Sequence, residues 1–568
     1  MAPSVSFMAR SVRFPPLPVL LSAAKNDGKA AGSWPNSLSC GESLVRLLEQ
    51  HRVDAVFGIP GTHTLELYRG LAHSGIRHIQ PRHEQGAGFM ADGYARASGR
   101  PGVCFLIAGP GLLNTATAIA QAYSDSIPML VVSSVGDPPP NGVPEGHIHE
   151  LPDQAETMRG LTAFSAEASA PEDLPGLVAT CFSRLRQGRA RPVHIALAVG
   201  LMERQAAGCG ADRPREPPGP EAADCGPALA KAAALLGEAR RPVMILGGGV
   251  DCGPAAVALA ERIGAAILTT IAGKGSVADD HPLHAGAALT IAIGRGLAEE
   301  ADAVLVLGSE LAASDTWTRP LHFSGKLIRF DLDEAALRSH PDAHLALRIE
   351  LGAALAALLG LLPCREPSPR MAEAAAQCRA ESRHPATALQ NRHLRALEAL
   401  RLAIPEDAMV AADMAQVAYT ANVAFRCSRP RSYFYPVGLS TMGYALPAAI
   451  GRKIAAPERA AIALTGDGGF LFTAAELGTA VELGLPIVVL LWNNEGLGQI
   501  RDRITARSIP PIGVNPRNPD FLVLARAFGC RTARPASITG LKREIRAALR
   551  RRLPTVIEIH EDGAWLDG

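Results

Sequence analysis

The sequence predicts an α/β chain built from three doubly wound parallel-sheet domains. Three observations carry that reading. Short apolar runs alternate with helical patterns along nearly the whole chain, as in successive βαβ units. The runs are continuous rather than alternating, which suits strands covered by helices on both faces. A length of 568 residues fits three or four domains at about 150 residues each.

The elements follow in order. Residues 1–36 form an extension outside the first domain. Through residue 26 it holds Arg10, Arg13 and Lys25 and no acid. That composition is like a transit peptide's, and the reading taken is a disordered extension. The first domain, 37–205, opens with Leu44, Leu47 and Leu48 on one helical face. Strands are expected at 55–58, 76–79, 103–108 and 128–133, with a helix over 112–123. A stretch rich in proline, glycine and charge makes 206–227 a linker. The middle domain, 228–365, has strands at 242–246, 303–307 and 327–330. A polar, helix-prone stretch at 366–395 reads as a second linker. The third domain, 396–568, has strands at 408–412, 461–464, 486–491 and 555–559, with a helix over 470–483.

Composition removes several function classes. The net charge is +1, so no field draws the chain to nucleic acid or to an anionic membrane. No apolar run approaches the ~20 residues of a membrane helix. The ten cysteines form no CxxC pair and have no zinc spacing, and a reducing, cytoplasmic setting fits them. Glycine and proline together supply 99 residues without a repeat, which implies many tight turns against backbone or ligand.

The strongest chemical pattern lies in the third domain. Strand 461–464 runs into Thr465-Gly466-Asp467-Gly468-Gly469, then a helix, then strand 486–491 and Trp492-Asn493-Asn494-Glu495-Gly496. A right-handed crossover puts both strand ends on one sheet edge, where such folds bind ligands. A carboxylate, an amide oxygen and a carbonyl suit a hard cation such as Mg²⁺ or Ca²⁺. The glycines let backbone N–H groups approach a diphosphate. An ordinary Asp-Gly turn beside an unrelated Asn-Asn loop is the plain alternative, and the ordered βαβ context argues against it.

These residues resemble the metal and diphosphate motif of thiamine-diphosphate enzymes. The first domain resembles the same family in Pro81-Arg82-His83-Glu84-Gln85-Gly86-Ala87, running into a helix. The turns Gly58-Ile59-Pro60-Gly61 and Gly109-Pro110-Gly111-Leu112-Leu113-Asn114 resemble two cofactor-facing turns. Residues 438–447, with Ser440 and Met442, resemble the segment that bends the cofactor. The resemblance covers about residues 38–565 and is closest to the acetolactate-synthase-like branch. It implies thiamine diphosphate and Mg²⁺, and a pyrimidine-binding first, a middle and a diphosphate-binding third domain. It implies Asp467, Asn494 and the Gly496 carbonyl as metal ligands and Glu84 as the catalytic acid on the pyrimidine ring. Pro60, Gly61, Asn114, Gln416, Ser440, Met442, Gly466, Gly468 and Gly469 would line the cofactor, with Asp413 near the diphosphate. The family's active site joins two subunits, so a homo-oligomer, dimer or tetramer, is implied.

The resemblance does not extend to FAD. Gly308-Ser309-Glu310 stands where FAD-carrying relatives have an arginine-bearing segment, and Gly247-Gly248-Gly249 lacks a convincing dinucleotide context. The segment with His147, His149, Glu150 and Asp153 is similar to decarboxylases of 5-guanidino-2-oxopentanoate. The expected reaction is decarboxylation of that 2-oxo acid to 4-guanidinobutanal and CO₂. Its guanidinium requires a carboxylate, and Glu150, Asp153, Glu310 and Asp315 are the candidates. His147 and His149 are further substrate candidates. The alternatives are carboligation of 2-oxo acids to an acetohydroxy acid, a non-catalytic protein that keeps the fold, and a nicotinamide dehydrogenase using the middle domain.

Overall fold

The computed structural model describes residues 34–137, 146–206, 225–317, 319–340, 342–365 and 368–567. Nearly all of the N-terminal extension and most of the 206–227 linker lie outside the described residues.

The first sheet holds β1 (Ala55–Gly58), β2 (Arg77–Ile79), β3 (Gly102–Leu106), β4 (Met129–Val135), β5 (Phe164–Ala168) and β6 (Val193–Ala198). The second holds β7 (Pro242–Leu246), β8 (Ala266–Thr269), β9 (His284–Gly286), β10 (Ala303–Leu307), β11 (Lys326–Asp331) and β12 (Leu345–Arg348). The third holds β13 (Met409–Ala412), β14 (Tyr433–Phe434), β15 (Ala461–Gly466), β16 (Ile487–Asn493), β17 (Arg531–Ala533) and β18 (Thr555–His560). Every neighbouring pair is parallel. The three doubly wound sheets expected from the apolar runs are therefore present. β1, β3, β7, β10 and β13 are buried at every position, as continuous apolar strands must be.

The strand orders are 2-1-3-4-6-5, 12-11-10-7-8-9 and 14-13-15-16-18-17. Each order has a point where the chain sets out to opposite sides: between β1 and β3, between β7 and β10, and between β13 and β15; the first and third orders reverse a second time at their far edge. A crevice opens outside the carboxyl ends of the strands at such a point. The fold thus makes three crevices from one rule.

The first and third domains share a core. Phe89, Met90 and Tyr94 of helix Glu84–Ser98 pack with Tyr444, Ala448 and Ile450. The partner helix is Ala445–Ala455. The two cross so closely that a Cβ on Gly451 would stand 1.9 Å from the Met90 carbonyl oxygen. The middle domain has its own core, which also takes Met371, Ala375 and Cys378 of helix Pro369–Glu381.

One predicted element changes. The helix expected over 470–483 starts at Asp467 and divides into Asp467–Thr473 and Glu476–Glu482. The division is a tightened turn, with Leu477 and Gly478 donating to the carbonyls of Ala474 and Ala475. No described helix is long and apolar enough to cross a membrane.

Candidate active site

The third-sheet crevice is built on two aspartates at strand ends. Asp413 follows β13 and is fully buried. Its carboxylate accepts from the N–H groups of Met414 (2.8 Å), Gly443 (3.0 Å) and Ala445 (3.2 Å). Burial pushes its pKa up and those donors pull it down. Asp413 thereby fixes the turn carrying Ser440, whose φ is +60°, and Met442. A Cβ on Gly469 would meet the Asp413 carboxylate at 3.0 Å, so that position takes glycine without strain.

Asp467 follows β15 directly. Its Oδ1 accepts from Gly468 N–H (3.0 Å). Its Oδ2 accepts from Gly496 N–H (2.8 Å) and Asn518 Nδ2 (2.7 Å). Burial raises its pKa, with Asn518 the strongest opposing donor. Asn494 lies alongside at the end of β16. With its Nδ2 donating to Gln416 Oε1 at 3.1 Å, its amide oxygen faces only acceptors. Those acceptors are Asp467 Oδ1 at 3.2 Å and the Gly496 carbonyl at 2.7 Å. Three oxygens then converge with no proton between them. Turned over, the amide would donate to both oxygens instead. The first arrangement is one that a cation relieves, and the donor chemistry suits Mg²⁺. Among the described residues no three His, Cys, Asp or Glu side chains gather to hold a metal. A carboxylate–amide–carbonyl set is of a different kind.

Beside these oxygens is a cavity of about 250 Å³, lined by Gln416, Ser440, Met442, Gly466, Asp467, Gly468, Gly469, Asn494 and Gly496 among others. The structure thus brings together nine of the residues expected to line or ligate the cofactor. Met442 Cε lies 3.2 Å from the point where a Cβ on Gly468 would stand, facing across the cavity.

The first-sheet crevice holds the others. Glu84 begins its helix after β2. Its Oε2 accepts from Asn114 Nδ2 (3.0 Å), and its carbonyl accepts from the Thr115 hydroxyl (3.2 Å). A Cβ on Gly111 would sit 3.6 Å from Glu84 Oε1. The Pro60–Gly61 turn closes on itself, with Gly61 N–H donating to Thr64 Oγ1 at 3.1 Å. The two crevices of one chain stay separate: every residue lining the 250 Å³ cavity belongs to the third domain, and Glu84 is not among them.

The candidate substrate carboxylates scatter. Glu150 sits in the loop after β4, its Oε2 accepting from the N–H groups of Gly146 and His147. His147 is exposed and His149 half-buried in that loop. Asp153 caps helix Gln154–Arg159. Glu310 and Asp315 line the middle crevice, a cavity of about 660 Å³ far along the chain from Glu84. There Glu310 pairs with Arg189.

Sequence reading missed Asn518 and Glu476. Asn518 reaches Asp467 from 51 residues away, and Glu476 accepts from the N–H groups of Arg82 and His83 just before Glu84. Neither lies in a local motif.

Three family domains match the chain: thiamine pyrophosphate enzyme N-terminal TPP-binding domain at 38–157, central domain at 229–358 and C-terminal TPP-binding domain at 413–559. The chain is 48% identical over 527 residues to a Pseudomonas aeruginosa protein named "Probable 2-ketoarginine decarboxylase AruI", covering 92% of this chain and 94% of that one. It is 30% identical over 536 residues to acetolactate synthase isozyme 1 large subunit of Escherichia coli, covering 92% and 93%. It is also 30% identical over 513 residues to isozyme 2 of the same organism, covering 86% and 89%.

Proposed function

The chain belongs to the thiamine pyrophosphate enzyme family, and from that premise we propose that it decarboxylates 5-guanidino-2-oxopentanoate to 4-guanidinobutanal and CO₂. The observation carrying the substrate is the 48% identity, over 92% of the chain, to a protein named for 2-ketoarginine decarboxylation. Thiamine diphosphate, when bound, supplies an electron sink for the bond that loses CO₂. The chain's part is to hold, orient and protonate. Asp467, Asn494 and the Gly496 carbonyl would hold Mg²⁺; a carboxylate, a carbonyl and an amide that can turn its oxygen toward them, gathered at two neighbouring strand ends, support that role. Gly466, Gly468 and Gly469 leave room for a diphosphate, and Met442 and Ser440 line its far side. Glu84, oriented by Asn114, would hold the proton shared with the pyrimidine ring. Glu150 is the carboxylate we assign to the guanidinium, because it stands beside His149 at the first-sheet crevice and two backbone N–H groups fix it.

Because the diphosphate cavity and Glu84 lie in separate crevices of one chain, the working site would form between the first domain of one copy and the third domain of another. FAD has no part in this reading. The middle crevice sets six carboxylates (Asp125, Asp251, Glu310, Asp315, Asp331 and Glu350) against Arg189 and Arg191. A dinucleotide's diphosphate does not fit that balance. No disulfide joins the nine described cysteines. The 30% identity to acetolactate synthases favours one second reading, carboligation of two 2-oxo acids.

The test is turnover of purified protein with thiamine diphosphate and Mg²⁺. The expected products from the guanidino acid are CO₂ and 4-guanidinobutanal. Glu84→Gln should lose about a thousandfold in rate while still binding cofactor. Acetohydroxy acid from pyruvate, with no guanidinobutanal from the guanidino acid, decides for the second reading.

A further inference from the structure

The middle crevice is a cavity of about 660 Å³ for which the proposed reaction has no use. It opens beside Gly248 and Gly308, where β7 and β10 part, and residues of the first and third domains close it. Ligand sites for small organic molecules span roughly 300–1,000 Å³, so the space suits one. Its charges do not cancel. Arg189 donates to Ser126 Oγ (2.6 Å), to Asp333 Oδ2 (3.1 Å) and to Glu310. Arg191 stacks on Tyr123, 4.1 Å from the ring centre, with Glu310 at 3.8 Å and Asp333 at 4.0 Å. Two cations thus meet two carboxylates. Asp125 is matched by Arg96 at 2.6 Å. Asp251, Asp315, Asp331 and Glu350 remain on the cavity wall, and none forms an ion pair with a described cation.

Asp315 is the sharpest case. It belongs to the one-turn helix Ala313–Thr316 after β10 and is only 8% exposed. Its Oδ2 accepts from Ala312 N–H (3.1 Å), which closes its own turn. Its Oδ1 has no partner among the described residues. A buried carboxylate without a counter-charge is costly, and native structures seldom leave one so. Burial pushes its pKa up from 3.8 to about 7, the Ala312 N–H opposes this, and Glu310 and Asp125 add to it. Asp331, at the end of β11, is half-buried, and its Oδ1 accepts only from Asp333 N–H (2.9 Å). A metal ion needs its carboxylates gathered at one point, and among the described residues no three gather in that way. Negative charge spread along a cavity matches an elongated organic cation instead. A guanidinium pairs with a carboxylate through two parallel N–H bonds, and an ammonium takes the remaining oxygens as a point charge.

We propose that the middle crevice is a binding site for a small organic dication of the guanidinoalkylamine class, with Asp315 and Asp331 as its carboxylate partners. The ligand supplies the positive charge that the cavity lacks and gives Asp315 Oδ1 its missing donor. The site is separate from Glu150, to which the substrate guanidinium is assigned. It makes and breaks no bond, and it stands whether or not the chain decarboxylates a guanidino acid.

The probe is agmatine, which carries a guanidinium at one end and an ammonium at the other. The comparison compound is 4-guanidinobutyrate, which has the same guanidinium and a carboxylate in place of the ammonium. Titration calorimetry on the full chain, loaded with thiamine diphosphate and Mg²⁺, compares wild type, Asp315→Asn, Asp331→Asn and Glu150→Gln. Wild type is expected to bind agmatine with a Kd of about 1 mM or tighter, and 4-guanidinobutyrate about tenfold or more weakly. Asp315→Asn and Asp331→Asn should each weaken agmatine about tenfold, and Glu150→Gln should stay within about twofold of wild type. Should Asp315→Asn fail to fold, by circular dichroism, Asp331→Asn carries the test, because its amide oxygen can keep the Asp333 N–H bond. Three results overturn the proposal: no agmatine binding by wild type up to about 10 mM, 4-guanidinobutyrate bound as tightly as agmatine, or agmatine binding kept by the folded aspartate variants. In the last case, loss of binding in Glu150→Gln would place agmatine at the substrate carboxylate instead.

Discussion

His194 shows what burial does to a titratable group far from the chemistry. It lies on β6 with its ring between the hydroxyls of Ser133 (2.8 Å) and Ser165 (2.9 Å). Burial lowers its pKa from 6.5 to about 3. The folded chain therefore keeps it neutral, whereas the unfolded chain protonates it near 6.5. The stability this represents is complete above the unfolded value and is lost as pH falls from 6.5 toward 3. The loss is about 1.4 kcal/mol per pH unit. Urea unfolding of wild type and His194→Gln between pH 7 and 5 checks it. Wild type should lose stability more steeply by that amount, and parallel curves would refute the assignment. The same scale explains what the sequence disclosed about the site. Asp467 and Asn494 were legible because each ends a strand of one βαβ unit, so order alone put them side by side. Asn518 was not, because a loop brings it in from 51 residues beyond Asp467. The guanidinium candidates Glu310 and Asp315 show the converse: residue type suggested them, and the fold sets them in a cavity other than the one around Asp467.

The strands expected from apolar runs lie within a residue or two of those found, although β6, six residues long and buried throughout, and β8 carried no such expectation. β14, of two residues, and β9, of three, carry no apolar run to read. The helix after Asp467 was read as one piece because its apolar periodicity continues across Ala474 and Ala475. Its division aims Glu476 across the domain boundary. The buried Glu476 carboxylate accepts from Arg82 N–H (3.0 Å), His83 N–H (3.1 Å) and the Thr479 hydroxyl (2.8 Å). A third-domain helix thus anchors the residues that lead into Glu84. Glu476→Gln replaces one acceptor oxygen by a donor that faces N–H groups. The expected cost is about 1–3 kcal/mol of stability, with weaker activity because Glu84 is less well placed. Thermal unfolding and steady-state kinetics of the purified variant check both. A variant with wild-type stability would show that the boundary contact is dispensable.

At the scale of the whole molecule, the fold repeats one device three times, and the repetition explains its incompleteness. Each sheet opens a crevice at its own switch point. Packing of helix Glu84–Ser98 against helix Ala445–Ala455 joins the first and third domains through a shared core. Glu84 is not among the residues that line the Asp467 cavity, and on the proposed reading the two are halves of a site that a second copy completes. In a two-fold symmetric dimer, each half-site meets its complement on the other copy. The arrangement has a consequence that a self-contained chain does not share. Glu84→Gln and Asp467→Asn chains are each expected to be inactive alone. In a mixed dimer, the Glu84 of one chain faces the Asp467 of the other, and one of the two sites is intact. Random pairing of equal amounts makes half the dimers mixed, so co-expression should restore about a quarter of wild-type activity. A site formed within one chain would give none, because every chain in the mixture lacks one essential residue. Measuring turnover of the co-purified mixture against each variant alone separates the two cases.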